Sequence, residues 1–384
     1  MSFEFVTSDR IVFGKGAISK VREIAPALGR KALIVCGSGS VSLDPLTELL
    51  ETSGTAWEVF RVTREPDIPT IEVGLALAKR TGCEFVIGFG GGSIIDSAKA
   101  ISALMTNSGS LIDYLEVIGK GQKISHQAAP MIALPTTAGT GSEVTRNAVI
   151  ASPEHHVKVS MRSPLMIPSV AIVDPALTYS MPPAVTASTG MDALTQVIEA
   201  YVSNKANPMT DAIAREGILR GARSLLAAYR DGSNEAARED MSLTSLFGGL
   251  ALANAGLGAV HGFAGPIGGM FNAPHGAICA SLLPYVMKYN AQVIQDHPEM
   301  AEISDRFRDV ARWVTGNPDS EMMDGVRWIE TLAHDLEIPG LHEIGIEQSD
   351  FPKIIEKSIV SSSMQKNPVR LDEETLEAIL MEAY

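Results

Sequence analysis

Four polar residues in the second half of the chain have the types and spacing to hold a divalent cation. Asp192 and Gln196 stand four apart in Gly190-Met-Asp-Ala-Leu-Thr-Gln-Val-Ile-Glu, so both project from one face of a helix. His261 and His275 are the only two of eight histidines inside the run from Met241 to Met287, which holds no Asp, Glu, Lys or Arg. A buried histidine is more often a satisfied core residue than a ligand. Two of them in a glycine-rich apolar setting, with an acid on a nearby helix, move that balance toward even. A carboxylate with imidazoles suits a divalent transition metal, and such a metal polarises a carbonyl oxygen as a Lewis acid. His155 and His156 lie beside Glu154 in a polar turn and read as solvated. His126, His297, His334 and His342 stand alone along the sequence.

The first half carries three loops of a different chemistry. Phe89-Gly90-Gly91-Gly92-Ser93-Ile94-Ile95-Asp96 follows an apolar strand and leads directly into a helical pattern. Glycines let backbone approach an anion closely, and the new helix presents unpaired N–H groups and a positive dipole end. Ser93 is placed to cap that helix and to donate to a phosphate oxygen. The spacing is neither GxGxxG nor a Walker loop, so it indicates pyrophosphate without specifying a fold. In Thr136-Thr137-Ala138-Gly139-Thr140-Gly141-Ser142-Glu143-Val144-Thr145, five hydroxyls and two glycines follow another strand, as a sugar or phosphate site would need; an ordinary hydroxyl-rich turn has equal weight. Gly37-Ser38-Gly39-Ser40 ends the first clear strand. A site selecting NAD usually places a carboxylate there, against the ribose 2′-hydroxyl. Its absence leaves room and donors for a 2′-phosphate and points to NADP, with NAD as the alternative and a plain flexible turn about as plausible.

The elements that must position these residues change in texture along the chain. Lys31–Cys36, Ala56–Arg61, Phe85–Phe89 and Met131–Leu134 read as strands, and Asp44–Thr52 and Ile71–Thr81 as helices between them. That alternation predicts a parallel sheet covered on both faces. Asn147–Ala151, Val157–Met161 and Ser169–Val173 read as the last strands of the same sheet. Beyond Pro182-Pro183 nearly every segment is helical by period, with breaks at Pro208, Pro274, Pro284, Pro318 and Pro339. The expected organisation is an α/β domain over 1–180 and an all-helical domain over 181–384, in line with roughly 150 residues per domain.

Composition narrows the classes. Forty-five acidic against 31 basic residues give a formal charge of −14, which disfavours nucleic acid and anionic membrane surfaces as partners. The charge-free run is long enough to span a bilayer, but nine glycines and three prolines break it too often for a spanning helix of about 20 apolar residues. Cys36, Cys83 and Cys279 form neither a disulfide framework nor a CxxC knuckle, and the start shows no basic-then-apolar leader. A soluble cytoplasmic protein is the expectation.

Gly90-Gly-Gly-Ser-x-x-Asp96, Pro135-Thr-Thr-Ala-Gly-Thr-Gly-Ser-Glu143, Gly190-Met-Asp192-Ala-Leu and Pro274-His-Gly276 occur in this order along the chain. Together they resemble the iron-containing (group III) alcohol dehydrogenases, which share a fold with dehydroquinate synthase and glycerol dehydrogenase. The resemblance implies a Rossmann-like first domain, a helical second domain, and NAD(P) and a metal held in a cleft between them. It implies that Gly91, Gly92, Ser93 and Asp96 contact pyrophosphate and nicotinamide. It further implies that Thr136, Thr137 and Ser142 line the phosphates and adenine side, and that Lys158 lies near the nicotinamide ribose. Gly37, Ser38 and Ser40 stand where NAD-preferring members carry an aspartate. The family's metal is held by an Asp, a His four residues on, and two later histidines. Asp192, His261 and His275 match, and Gln196 replaces the second ligand. An amide oxygen is a harder and weaker ligand than imidazole for iron or zinc. A further family histidine, associated with proton relay, is replaced by Gly265, which enlarges the space around a substrate.

These observations predict an NAD(P)-dependent, NADP-preferring oxidoreductase that transfers hydride between nicotinamide and a carbonyl/alcohol pair, with Asp192, His261 and His275 as catalytic residues and, with Gln196, as holders of iron or zinc. Its substrate would be a small alcohol or aldehyde, and its assembly a homodimer or larger homo-oligomer, as is common in the family. The alternative is a metal-independent oxo-acid reductase of the maleylacetate reductase type, with Arg146 or Arg162 binding the carboxylate. A metal-dependent lyase of the dehydroquinate synthase type, or a nucleotide-binding module without catalysis, fits the motifs less well.

Overall fold

The computed structural model describes every residue except Met1, Gly39, Ser40, Arg64, Pro153, His156 and Asn272. The chain divides into two compact units. One comprises Val6–Thr137 with Gly141–Met181; the other comprises Pro182–Tyr384 with Met1–Phe5 and Ala138–Thr140.

The α/β unit contains strands β1 (Arg10–Phe13), β2 (Lys31–Cys36), β3 (Ala56–Arg61), β4 (Phe85–Gly90), β5 (Met131–Pro135), β6 (Asn147–Ser152), β7 (Val157–Arg162) and β8 (Val170–Val173). Its helices are α1 (Val21–Leu28), α2 (Asp44–Thr52), α3 (Ile68–Thr81), α4 (Gly92–Thr106) and the short α5 (Leu111–Tyr114). Six strands form one all-parallel sheet in the order β1-β8-β5-β4-β2-β3. Because both faces are covered, its central strands are apolar runs rather than alternating ones. Leu33, Val35 and Val86 pack on one face with Ile71 and Ile95, while Ala32, Ile34, Phe85 and Ile87 pack on the other with Val21, Ile24, Leu46 and Leu50.

The order of strands creates a switch point. Strand β3 lies on one side of β2 and β4 on the other, so the winding direction reverses between β2 and β4. Cys36 is in register with Phe89, which sets the turn after β2 beside the glycine turn after β4. In open α/β sheets, ligands bind outside the carboxyl ends of the strands at such a reversal.

Two expectations about strands need correction. β6 and β7 are not part of the main sheet; they pair with each other as an antiparallel ribbon, Asn147 with Arg162 through Ser152 with Val157. Ala148, Ile150, Val159 and Met161, with Val157 partly buried beside them, face the core, so the ribbon is half-buried and alternates in polarity. That pattern belongs to an antiparallel pair with one solvated face, not to a doubly covered parallel strand. The sheet instead gains β1, whose four residues are too few and too exposed to stand out in the sequence.

The second unit is helical: α6 (Pro183–Val202), α7 (Pro208–Arg230), α8 (Glu235–Ala255), α9 (Ala259–Met270), α10 (His275–Gln295), α11 (Ala301–Thr315), α12 (Met322–Asp335), α13 (Phe351–Ile359) and α14 (Glu373–Glu382). One continuous core includes Met191, Leu194 and Ile198 of α6, Val260 and Phe263 of α9, and Ile278, Leu282 and Leu283 of α10. Among the described residues, no single helix is long and apolar enough to cross a membrane. α8 and α9 would be together by composition and length, but they meet at a bend of 98°.

Glu143, in the hydroxyl-rich loop, is 2% exposed. Burial pushes its carboxyl from an ordinary 4.5 up to about 7, and nearby Lys99 only partly offsets this. A carboxyl with a raised folded-state pKa favours folding while protonated, and that contribution is lost as pH rises from about 4.5 through 7. Glu143→Gln should therefore gain stability relative to the parent on going from pH 4 to pH 8. The pH-dependent part amounts to roughly 3 kcal/mol, at about 1.4 kcal/mol per pKa unit, and denaturant unfolding at the two pH values measures it.

Candidate metal and dinucleotide sites

Three helices bring one cluster together. α6 contributes Asp192, Gln196 and Glu199, whose spacing of four and three puts them on one face, and all three are buried. α9 contributes His261 from its first turn, and α10 contributes His275, its first residue, with Cys279 one turn later. Gly276 lets α10 start close to α6: a Cβ there would lie 2.6 Å from the Ser188 carbonyl oxygen.

The N-terminus of α9 is held from outside itself, because its cap residue, Gly258, has no side chain to offer. Glu199 Oε1 accepts from the Val260 amide at 2.7 Å, and Asn367 Oδ1 accepts from the Ala259 amide at 3.1 Å. The negative charge of Glu199 is well placed against the positive end of the helix. Its second oxygen, Oε2, accepts from His261 Nδ1 at 2.6 Å. A carboxylate can only accept, so the His261 proton sits on Nδ1 and the Nε2 lone pair is turned inward.

That lone pair meets other donors of electron pairs. His261 Nε2 is 3.3 Å from Asp192 Oδ1, and His275 Nε2 is 3.8 Å from the same oxygen. Cys279 Sγ lies 3.8 Å from His261 Nε2 and 3.6 Å from His275 Nε2. The four atoms all fall within 4.8 Å of one another. Asp192 is 1% exposed, and its Oδ1 has no hydrogen-bond partner. An orphaned, buried carboxylate oxygen facing two imidazoles and a thiol is the donor set of a transition-metal site.

Electrostatics agree with that reading. Burial opposes the charged form of His261, yet the Cys279 sulfur, Asp192 and Glu199 outweigh it and hold its pKa well above the ordinary value. The Cys279 sulfur is the chief cause of the raised pKa of His275, against burial. Burial works to raise the Asp192 pKa, but the neighbouring His261 and His275 overcome it and keep the carboxyl below its usual range. The cluster attracts positive charge, and protons compete with a cation for the same lone pairs.

Gln196 meets the cluster through Asp192 and leaves its own buried carbonyl oxygen without a hydrogen-bond partner. Its Nε2 donates to Asp192 Oδ2 at 3.2 Å, and its Oε1 lies against Gly248 of α8, where a Cβ would come within 2.7 Å. Gly265 lies one turn after His261, with nothing within 4 Å of a Cβ placed on it. The side chain of His275 is 43% exposed, so the cluster is reached from its side.

In the α/β unit, Gly91 begins α4 in extended conformation without a side-chain cap, and a Cβ on it would press on Thr137 at 3.3 Å. Ser93 is not the cap that its position suggested. It sits inside the first turn, and its Oγ donates to Glu65 Oε1 at 3.2 Å. Lys158 Nζ pairs with Glu65 Oε2 at 3.3 Å, so Glu65 joins two residues 65 positions apart. Thr136 N donates to Gly90 O at 3.0 Å, tying the ends of β5 and β4. Asp96 is spent within the unit: its Oδ1 accepts from Ser142 Oγ at 2.5 Å and its Oδ2 from Val149 N at 2.9 Å. Fully buried Lys99 is 3.0 Å from Asp96 Oδ1 and donates to Ser142 O, Thr145 Oγ1 and Asn147 O. Burial lowers the Lys99 pKa and Asp96 opposes that.

Gly37 and Ser38 follow β2 as expected, whereas Gly39 and Ser40 lie outside the described residues. At the end of β3, Arg61 is in register with Cys36, and its Nη1 donates to Gly37 O at 3.3 Å. Arg61 thus sets a guanidinium beside that loop. Arg162, considered as a carboxylate binder, is 3.7 Å from Glu116 Oε1, on the half-solvated ribbon.

Glu199 and Cys279 are the two residues that reading the sequence passed over. Both carried a signal: Glu199 continues the Asp192–Gln196 helix face, and Cys279 stands four after His275.

Residues 8–175 match the family described as iron-containing alcohol dehydrogenase, and residues 186–384 match its C-terminal family. The chain is 36% identical over 391 residues to the 1,3-propanediol dehydrogenase of Klebsiella pneumoniae, covering 100% of this chain and 99% of that one. A crystal structure of a 1,3-propanediol oxidoreductase superposes with a TM-score of 0.92 at 35% identity, over 100% of both chains. The sulfoacetaldehyde reductase of Bifidobacterium kashiwanohense, solved in complex with NAD+, superposes at 0.87 with 30% identity, over 99% of this chain and 98% of that one.

Removing the Glu199 carboxylate takes the acceptor from two close donors, Val260 N–H and His261 Nδ1–H, and from the longer His261 backbone N–H at 3.4 Å. Each such loss costs about 1–3 kcal/mol, so Glu199→Ala should lower unfolding free energy by about 2–5 kcal/mol in chemical denaturation. Glu199→Gln, which retains one acceptor, should lose less.

Proposed function

The chain belongs to the iron-containing alcohol dehydrogenases, an oxidoreductase family, and we propose that it is a metal-assisted, NADP-preferring dehydrogenase or reductase of a small alcohol/aldehyde pair. The observation that carries this reading is the buried, unpartnered Asp192 Oδ1 facing His261 Nε2 and His275 Nε2. Those three residues stand at positions where the family holds its metal. A metal-free reductase would leave protons on the imidazoles as the only positive charge for that convergence.

A cation held by Asp192, His261 and His275 would supply Lewis-acid polarisation of a carbonyl oxygen, and a bound nicotinamide would supply or accept the hydride. The chain's residues prepare for this. Glu199 fixes the His261 tautomer so that Nε2 presents a lone pair, and Gln196 holds Asp192 by Oδ2 so that Oδ1 stays turned inward. His275 stands on the exposed side of the cluster, and Gly265 leaves open space one turn beyond His261 for a substrate. In the α/β unit, the turns after β2, β4 and β5 offer Gly37 and Ser38, Gly91, Gly92 and Ser93, and Thr136 and Thr137 to the dinucleotide, with Lys158 beside Ser93. Asp96 and Ser142 act there by bracing α4 against the hydroxyl-rich loop. Arg61 beside Gly37 O supports a 2′-phosphate at the β2 turn.

NADPH oxidation with a panel of small aldehydes should fall at least tenfold after exhaustive chelation and return on adding one of ferrous, zinc, manganese or nickel ions. Turnover indifferent to chelation would sink the metal-assisted reading. Arg61→Ala should raise KM for NADPH about ten- to a hundredfold, as expected for losing a charge-assisted hydrogen bond of about 1.5–3 kcal/mol, and leave KM for NADH nearly unchanged. Equal effects on both cofactors would reassign Arg61 to holding the turn.

A further inference from the structure

The cluster contains a sulfur that the family's aspartate-and-histidine pattern does not use. Cys279 is 0% exposed, sits on the inner face of α10 one turn from His275, and places Sγ near both imidazole Nε2 atoms. The position that supplies an imidazole elsewhere in the family is Gln196, whose N–H donates to Asp192 Oδ2 while its oxygen lies against Gly248 without a hydrogen-bond partner. One nitrogen ligand is missing and one sulfur is present.

Distances decide whether the sulfur replaces the nitrogen. A tetrahedral site with metal–nitrogen and metal–oxygen bonds of about 2.0–2.1 Å and a metal–sulfur bond of about 2.3 Å has N···O edges of about 3.3 Å and N···S edges of about 3.6 Å. The observed edges are 3.3 and 3.8 Å from Asp192 Oδ1 to the two nitrogens, and 3.8 and 3.6 Å from Cys279 Sγ to the same nitrogens. Four of the six edges are thus within about 0.5 Å of those of a tetrahedral site, and all four atoms lie within 4.8 Å of one another. A hydrogen-bonding role for the thiol accounts for less, because one S–H proton serves one acceptor while two inward nitrogens and the orphaned Asp192 Oδ1 face it.

We propose that this chain holds its metal through Asp192 Oδ1, His261 Nε2, His275 Nε2 and a Cys279 thiolate, with Gln196 serving as a positioning residue for Asp192 rather than as a ligand. The inference rests on the metal-assisted reading given above. On binding, the Cys279 S–H bond breaks, its proton leaves to solvent, and a metal–sulfur bond forms with no change of oxidation state. A thiolate in place of an amide or imidazole makes the centre softer and favours zinc over ferrous iron.

Titrating the metal-depleted full-length protein with cobalt(II), followed by absorption spectroscopy, separates the possibilities. The expected result is one equivalent bound, with visible d–d bands of a tetrahedral ion and a near-ultraviolet thiolate-to-cobalt charge-transfer band. Cys279→Ser should abolish the charge-transfer band while d–d bands persist; Gln196→Ala should retain both. X-ray absorption of the zinc-loaded parent protein, which needs no variant to fold, should show one sulfur at about 2.3 Å. Visible bands without charge transfer, a band that survives in Cys279→Ser, or a zinc shell without sulfur would overturn the thiolate while leaving the metal centre standing. No cobalt binding by the parent protein would overturn both.

Discussion

Lone pairs that point at one another in a buried space repel unless something positive lies between them, and the helical unit is organised around such a convergence. Asp192 Oδ1, His261 Nε2, His275 Nε2 and Cys279 Sγ come from three helices and lie within 4.8 Å of one another, with Asp192 Oδ1 left without a hydrogen-bond partner. In a low-dielectric interior, an arrangement of this kind is costly by itself and strongly favourable with a cation or protons. The raised pKa values of both histidines express the same tendency.

Holding those groups in place accounts for much of what surrounds them. α6 carries both carboxylates, but they do different work. Asp192 turns one oxygen into the cluster, whereas Glu199 stands behind His261 and closes the N-terminus of α9. Asn367 completes that helix start and is itself fixed by Asn290, whose Oδ1 accepts from Asn367 Nδ2 at 2.7 Å. The uncharged stretch from Met241 to Met287 contributes tight packing around the site without adding competing charge.

The α/β unit solves a separate problem with backbone and hydroxyls. Its glycine turns and hydroxyl-rich loop lie at the carboxyl ends of β2, β4 and β5, next to the point where the strand order reverses. Charge is used sparingly there. Asp96 and Lys99 lock α4 to the loop and to the β6 strand, Glu65 ties Ser93 to Lys158, and Arg61 marks the turn after β2.

Much of this was legible in the sequence because it is local. Doubly covered strands read as apolar runs, glycine turns followed strands directly, and a four-residue interval put Asp192 and Gln196 on one helix face. The family motifs were legible for the same reason, being short contiguous segments. The β6–β7 ribbon was misread because strand length says nothing about which strand a segment pairs with; its half-buried alternation was the clue. What spacing along one element cannot decide is which elements meet. The bond between Glu199 and His261 spans 62 positions, and Cys279 reaches His261 across 18. Only the packing of α6, α8, α9 and α10 set Gln196 Oε1 against Gly248 and brought a cysteine to the cluster. The sequence determined the helices and the residue types that they carry. The tertiary structure decided which of their lone pairs share one space, since that depends on how faces pack and not on how residues are spaced.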